Sequence, residues 1–115
     1  MTLNCIIVDD EKTSRVAMSS LVDHSDSLNL VGIAESGEQA LELLDEKQVD
    51  LIFLDVMMPS MSGFEFLDEI EDNHNVKVVL VTGKKDFAVK AFDYAISDYL
   101  VKPVSRNRFK ESVQR

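Results

Sequence analysis

Short runs of β-branched and aliphatic residues recur along the chain at Asn4–Val8, Leu30–Ala34, Leu51–Leu54, Val78–Val81 and Tyr99–Val101. The third and fourth, Leu-Ile-Phe-Leu and Val-Val-Leu-Val, are continuously apolar rather than alternating. This predicts strands buried on both faces, as in a parallel sheet covered by helices. Amphipathic segments lie between the runs. Ser14–His24 carries Val16, Met18, Leu21 and Val22, and Glu38–Lys47 carries Ala40, Leu41, Leu43 and Leu44 after the break at Ser36-Gly37. Gly63–Asn73 carries Phe64, Phe66, Leu67 and Ile70 with acids opposite, and Phe87–Ala95 sets Phe87, Ala91 and Ala95 on one helical stripe, with Ala88 and Phe92 beside it. Ser105 is suited to cap a last helix in which Phe109 and Val113 stand four apart. The alternation predicts an α/β fold of three layers, a (βα)5 doubly wound parallel five-stranded sheet with right-handed crossovers and helices on both faces. In open sheets of this kind, chemistry sits beyond the carboxyl ends of the strands, where the winding direction reverses.

With 115 residues, 45% of them hydrophobic, the chain is expected to form a single domain over 1–115. One cysteine, Cys5, excludes a disulfide framework; it stands in an apolar run, reads as a small buried thiol, and points to a reducing, cytoplasmic compartment. No apolar run approaches the roughly 20 residues of a membrane span, and Met1-Thr2-Leu3-Asn4 starts no signal peptide. The net charge of −9 argues against direct contact with nucleic acid or an anionic membrane. That charge is unevenly spread: residues 1–75 hold 3 basic and 17 acidic groups, whereas 76–115 hold 9 and 4. The plain reading is ordinary solvated faces; the functional one is two surfaces of opposite sign that meet different partners.

Polar residues follow four of the apolar runs: Asp9-Asp10-Glu11, Asp55, Thr82-Gly83 and Lys102-Pro103. Each has a dull explanation taken singly. Asp10 can cap a helix, Asp55 can open a turn, Thr82 can bond locally, and Lys102 can be a solvated charge. Together, at one rim of one sheet, they form a coherent site. Asp9, Asp10 and Asp55 crowd three carboxylates, which raises at least one pKa unless a cation neutralises them. An all-oxygen site with room for water and phosphate suits Mg²⁺, and the lack of His or Cys disfavours zinc. His24 and His74 read as surface residues near helix ends. One carboxylate can then attack a phosphoryl group, with the Lys102 ammonium and the Thr82 hydroxyl offsetting charge on the transferred oxygens. No nucleotide-binding Gly-rich loop is present, so the donor is expected to be small or another protein.

With Val-Met-Met-Pro-Ser-Met-Ser-Gly-Phe-Glu following Asp55, the set Asp9-Asp10-Glu11, Thr82-Gly83 and Lys102-Pro103 resembles the CheY-like receiver domain of two-component response regulators, over essentially all 115 residues. The resemblance implies the flavodoxin-like strand order 2-1-3-4-5, of which this family is a standard illustration. It implies Asp55 as the phosphoacceptor, loaded by a histidine kinase, a histidine phosphotransfer protein or a small acyl phosphate. Asp10, Asp55 and the Met57 carbonyl match direct Mg²⁺ ligands, and Asp9 matches an acid binding through water. Thr82 and Lys102 match the switch hydroxyl and the phosphate-binding lysine, Tyr99 matches the switch aromatic, and the bond before Pro103 is expected to be cis. A two-state change would re-form the surface of the fourth helix, fifth strand and fifth helix, which contacts an output domain or partner, or a second copy when phosphorylated. Ala91–Leu100 resembles receivers that precede a LytTR-type DNA-binding domain, so the chain is expected to be a receiver cut from a longer regulator.

Two other readings remain at this point. A haloacid-dehalogenase-like phosphatase would use Asp9 as nucleophile, but wants a second Asp where Glu11 stands. A receiver-like binding module would work unphosphorylated through the 87–95 surface.

Overall fold

A computed structural model describes residues 2–70, 75–84, 87–91 and 93–114. The chain alternates β1 (Leu3–Val8), α1 (Lys12–Asp23), β2 (Leu28–Ala34), α2 (Gly37–Glu46), β3 (Leu51–Leu54), α3 (Gly63–Ile70), β4 (Lys77–Thr82), α4 (Ala88–Ala91), β5 (Asp98–Val101) and α5 (Arg106–Val113). The strands are all parallel, in the order β2-β1-β3-β4-β5. Winding therefore reverses between β1 and β3, where a crevice opens at the carboxyl ends.

Strand alternation divides the core in two. Ile6, Val8, Ile52, Leu54, Val78 and Leu80 pack with Ala40 of α2, Phe64, Phe66 and Ile70 of α3 and Ala91 of α4. Cys5, Ile7, Phe53, Val79, Val81 and Leu100 pack on the other face with Met18 and Val22 of α1 and Phe109 of α5. All four residues of β3 are buried, as its unbroken apolar run predicts for a central strand. Burial pushes the Cys5 thiol up to about 11, so it serves as packing. No helix among the described residues is long and apolar enough to cross a membrane.

Three differences from the sequence pattern have local causes. β2 begins at Leu28, because Leu28 is buried and pairs with Leu3; a register shift between Cys5 and Ile6 then realigns the two strands. α1 starts at Lys12, with Glu11 in the cap position and no side-chain cap; Asp10 does not cap it. The expected helix over 87–95 does not continue through Asp93 and Tyr94; among the described residues α4 covers Ala88–Ala91. After it the Asp93 and Tyr94 N–H groups donate to Lys90 and Ala91 carbonyls, and the Tyr94 ring leaves the helix to stack 5.3 Å from Phe64. Its hydroxyl donates to Asp68 Oδ1 at 3.0 Å. Packing thus outweighs helical periodicity there. Phe92, His74 and the end of the expected 63–73 helix lie outside the described residues. Ser105 caps α5 as expected, its Oγ accepting from the Arg108 N–H at 3.1 Å.

α5 is tied to the edge strand by a charged fork. Arg108 Nη1 and Nη2 donate to Asp98 Oδ2 and Oδ1, each at 2.8 Å, and the Asp98 carboxylate is buried. Burial works to raise the Asp98 pKa, but the Arg108 fork, the Tyr99 N–H and the Ser112 hydroxyl together hold it below the ordinary carboxylate value. Its stabilising contribution is therefore present above the unfolded pKa of about 3.9 and is lost as pH falls through the lower folded value. Arg108→Ala is expected to cost about 1–3 kcal/mol at pH 7, because it strands a buried carboxylate. In urea unfolding of both proteins, the gap should narrow below about pH 4; a gap independent of pH would contradict this assignment.

Candidate functional site

The register brings the strand ends together before any side chain is considered. Val8 pairs with Leu54, so Asp9 and Asp55 leave adjacent strands side by side. Their backbones stay in the sheet pattern, Asp9 N–H donating to the Ala34 carbonyl at 3.1 Å and Asp55 N–H to the Val8 carbonyl at 2.9 Å. Thr82 pairs with Val101, and the Lys102 N–H donates to the Thr82 carbonyl at 2.8 Å. The Lys102-Pro103 peptide is cis.

The resulting charge cluster is largely withdrawn from water. Asp9 is 2% and Asp55 4% exposed. Lys102 Nζ donates to Asp9 Oδ2 at 2.8 Å, Ser14 Oγ at 2.9 Å and Asp55 Oδ2 at 3.1 Å, and lies 3.6 Å from Glu11 Oε1. The remaining Asp55 oxygen accepts the Met57 N–H at 3.2 Å, and Asp9 Oδ1 accepts the Glu11 N–H at 2.9 Å. Burial and then the neighbouring Asp9 charge raise the Asp55 pKa, against the opposing pull of Lys102 and the Met57 N–H. Burial opposes the Lys102 charge, yet Asp9 and Asp55 together hold its pKa above the ordinary lysine value. One ammonium between two buried carboxylates leaves an unbalanced negative charge, and such a site favours a further cation.

Donor chemistry fits a hard divalent ion. Carboxylate oxygens of Asp9, Glu11 and Asp55 lie within 4.8 Å of one another. An all-oxygen set of this kind suits Mg²⁺. Asp10, expected among the ligands, is exposed and outside that trio, though it lines the same cleft of about 410 Å³ with Glu11, Asp55, Met57, Thr82 and Lys102. Thr82 is buried in that wall, while Met57 is half exposed at its mouth. Tyr99 stands farther back on β5, its hydroxyl donating to the Lys84 carbonyl at 2.5 Å. His24 is exposed at the end of α1.

Ser14 and Arg15, which the sequence reading does not single out, also touch the site. Arg15 Nη1 donates to the Asp9 carbonyl at 3.0 Å, and Nη2 lies 3.3 Å from Glu35 on the β2–α2 connection. Their only signal in the sequence is position, in the first turn of the helix that follows the acidic strand end.

The loop after Asp55 is held by close approach. Gly63 donates its N–H to the Val56 carbonyl at 2.8 Å, and a Cβ there would lie 2.5 Å from the Asp55 carbonyl oxygen and 2.8 Å from Val56 Cα. Backbone cannot yield as a flexible side chain does. Gly63→Ala is expected to cost about 1–3 kcal/mol in chemical denaturation, through overpacking; an unchanged midpoint would show that the loop has slack.

Comparison with known proteins agrees with this geometry. The family model for the response regulator receiver domain matches residues 5–114. A response regulatory protein of Shewanella oneidensis is 33% identical over 113 residues, which cover 98% of this chain and 48% of that protein. The sensory transduction protein LytT of Oceanobacillus iheyensis is 31% identical over 118 residues, covering 100% of this chain and 48% of its own length. The chain thus spans about half the length of these curated relatives. Among solved structures, the response regulatory domain of MrkE from Klebsiella pneumoniae superposes with a TM-score of 0.89 at 31% identity, covering 97% of this chain and 93% of that one. This family is one of signalling regulators rather than of enzymes, which sets aside the dehalogenase-like phosphatase. A flavodoxin-like sheet with buried carboxylates at its switch point, matched by the family model over nearly every residue, makes this chain a member of the response regulator receiver domain family.

Proposed function

We propose that Asp55 is the phosphoacceptor of this receiver, and that Lys102 and Thr82 serve the transferred phosphoryl group. The observation that carries the proposal is the 3.1 Å contact between Lys102 Nζ and a nearly buried Asp55 carboxylate. An Asp55 oxygen attacks phosphorus; the bond from phosphorus to the donor's histidine nitrogen or acyl oxygen breaks, and its electron pair leaves with the donor. The product is an acyl phosphate on Asp55. Chemistry of this kind asks mainly for positioning and neutralisation of the equatorial oxygens. Lys102 meets one of them with a full charge and Thr82 another with a hydroxyl. Asp9, Glu11 and Asp55, with Asp10 and the Met57 carbonyl at the cleft, are the residues that would hold Mg²⁺. Bound there, the ion supplies the positive charge that the carboxylates lack.

The new dianionic group biases a two-state equilibrium. Movement of Thr82 toward it would draw on the β4–α4 segment, whose Lys84 carbonyl already holds the Tyr99 hydroxyl. The consequence would reach the surface of α4, β5 and α5, within the basic stretch of the chain. This surface is proposed to meet an output domain, a downstream protein or a second copy. The names of relatives, among them the transcriptional regulatory protein BtsR of Salmonella typhimurium at 30% identity, support a transcriptional output carried by the remainder of a longer chain. Phosphoryl supply is assigned to a histidine kinase or histidine phosphotransfer protein, and the cell compartment to the cytoplasm.

Incubation with acetyl phosphate and Mg²⁺, followed by intact-mass analysis, is expected to add one phosphoryl group to the wild type and none to Asp55→Asn. An equal gain by both would remove Asp55 from the role. Met57, half exposed at the mouth of the cleft, has no group to orient an attacking water. Met57→Asn is therefore expected to shorten the phosphoryl lifetime severalfold in the same mass assay, and an unchanged decay would remove Met57 as a determinant of lifetime.

A further inference from the structure

Lys102 has three ammonium N–H donors, and each has a separate acceptor: Asp9 Oδ2, Ser14 Oγ and Asp55 Oδ2. Two of these are carboxylates with other duties in the proposed reaction. An Asp55 oxygen forms the new bond to phosphorus, and Asp9 belongs to the metal-binding set. The Ser14 hydroxyl is neutral and has neither duty. We infer that Ser14 is a positioning residue for phosphoryl transfer, the acceptor that keeps the Lys102 ammonium at the cleft while its carboxylate partners are drawn into the chemistry. The inference rests on the phosphoacceptor reading of Asp55.

The surroundings make such an anchor necessary. Lys102 is a long, flexible chain running between two spaces. On one side is the acidic cleft; on the other is an apolar groove of about 380 Å³ between α1 and the segment after β5, lined by Ala17, Met18, Leu21, Pro103 and Val104. Ser14 and Lys102 both form part of the wall of that groove. Glu11, 3.6 Å from Nζ, belongs to the same carboxylate trio as Asp9 and Asp55, so it too has a duty in the metal-binding set. Losing the Ser14 contact leaves the ammonium with carboxylate acceptors that the reaction itself engages. Ser14 is well placed to prevent this, because α1 is a regular helix from Lys12 and the position of the hydroxyl is set by its first turn.

A hydrogen bond to a charged group is the right size to matter for rate and too small to decide folding. Ser14→Ala is expected to lower the maximal rate of acetyl phosphate-dependent phosphorylation about tenfold. Its Mg²⁺ affinity, measured by titration calorimetry, should stay within about twofold, since no ligand is removed. Ser14→Thr, which restores a hydroxyl, should recover the rate; Ser14→Val, nearly the same shape without one, should not. In a Lys102→Met background, Ser14→Ala should have no further effect, because the residue acts only through the lysine. The inference is overturned if Ser14→Ala phosphorylates at the wild-type rate, if Val restores it as well as Thr, or if the loss persists without Lys102. A wild type that takes no phosphoryl group on Asp55 would instead bring down the functional reading, and this inference with it.

Discussion

Two carboxylates, Asp9 and Asp55, are buried next to each other at the ends of adjacent strands, and a single ammonium lies between them. Most of the site's behaviour follows from this imbalance. Removing a carboxylate from water is expensive, and each neighbouring negative charge adds to that expense. Lys102 offsets part of it through hydrogen bonds to both acids, and backbone N–H groups at Glu11 and Met57 offset a little more. The remainder is left as a raised Asp55 pKa, a standing preference for added positive charge. The folded domain thus holds a site that a divalent cation would relax.

The sheet makes this imbalance tolerable. Its two faces carry separate apolar layers, one under α1 and α5 and the other under α2, α3 and α4, and the central strand β3 is buried throughout. Stability is supplied by the strands' interiors, so their carboxyl ends are free to hold groups that weaken the fold. On the edge strand a buried carboxylate is paired in the ordinary stabilising way. The Asp98–Arg108 fork lowers a carboxylate pKa where the site raises one, because there the one buried negative charge has a guanidinium to itself.

The described residues between β4 and β5 are built differently from the rest. α4 has a single turn, and it is held by the packing of Phe87 and Tyr94 against Phe64, by Lys90 lying 4.7 Å over that ring, and by the Tyr94–Asp68 hydrogen bond. Side-chain contacts of this kind can be exchanged without unfolding a strand. The Tyr99 hydroxyl ties β5 to the start of this segment by donating to the Lys84 carbonyl, two residues after Thr82 in the cleft wall.

Much of this was legible from the order of residues alone. Unbroken apolar runs mark buried parallel strands, and polar residues after them mark the rim where a doubly wound sheet gathers chemistry. Leu51–Leu54 followed by Asp55 is enough to place one carboxylate there. The sequence does not rank the acids. Asp9, Asp10 and Glu11 are consecutive, yet the first is buried against Lys102, the second lines the cleft from an exposed position, and the third belongs to the close carboxylate trio. Which way each points depends on the turn between a strand and a helix. Ser14 carries no chemical signature of its own, and only the docking of α1 beside the segment after β5 brings its hydroxyl to Lys102. The short α4 likewise escapes a periodicity argument, because aromatic packing across to α3 overrides the local pattern. Local chemistry determines the strands, the helices and the list of reactive groups; distances between residues 93 or 47 positions apart are set only when the sheet closes and burial makes each contact count.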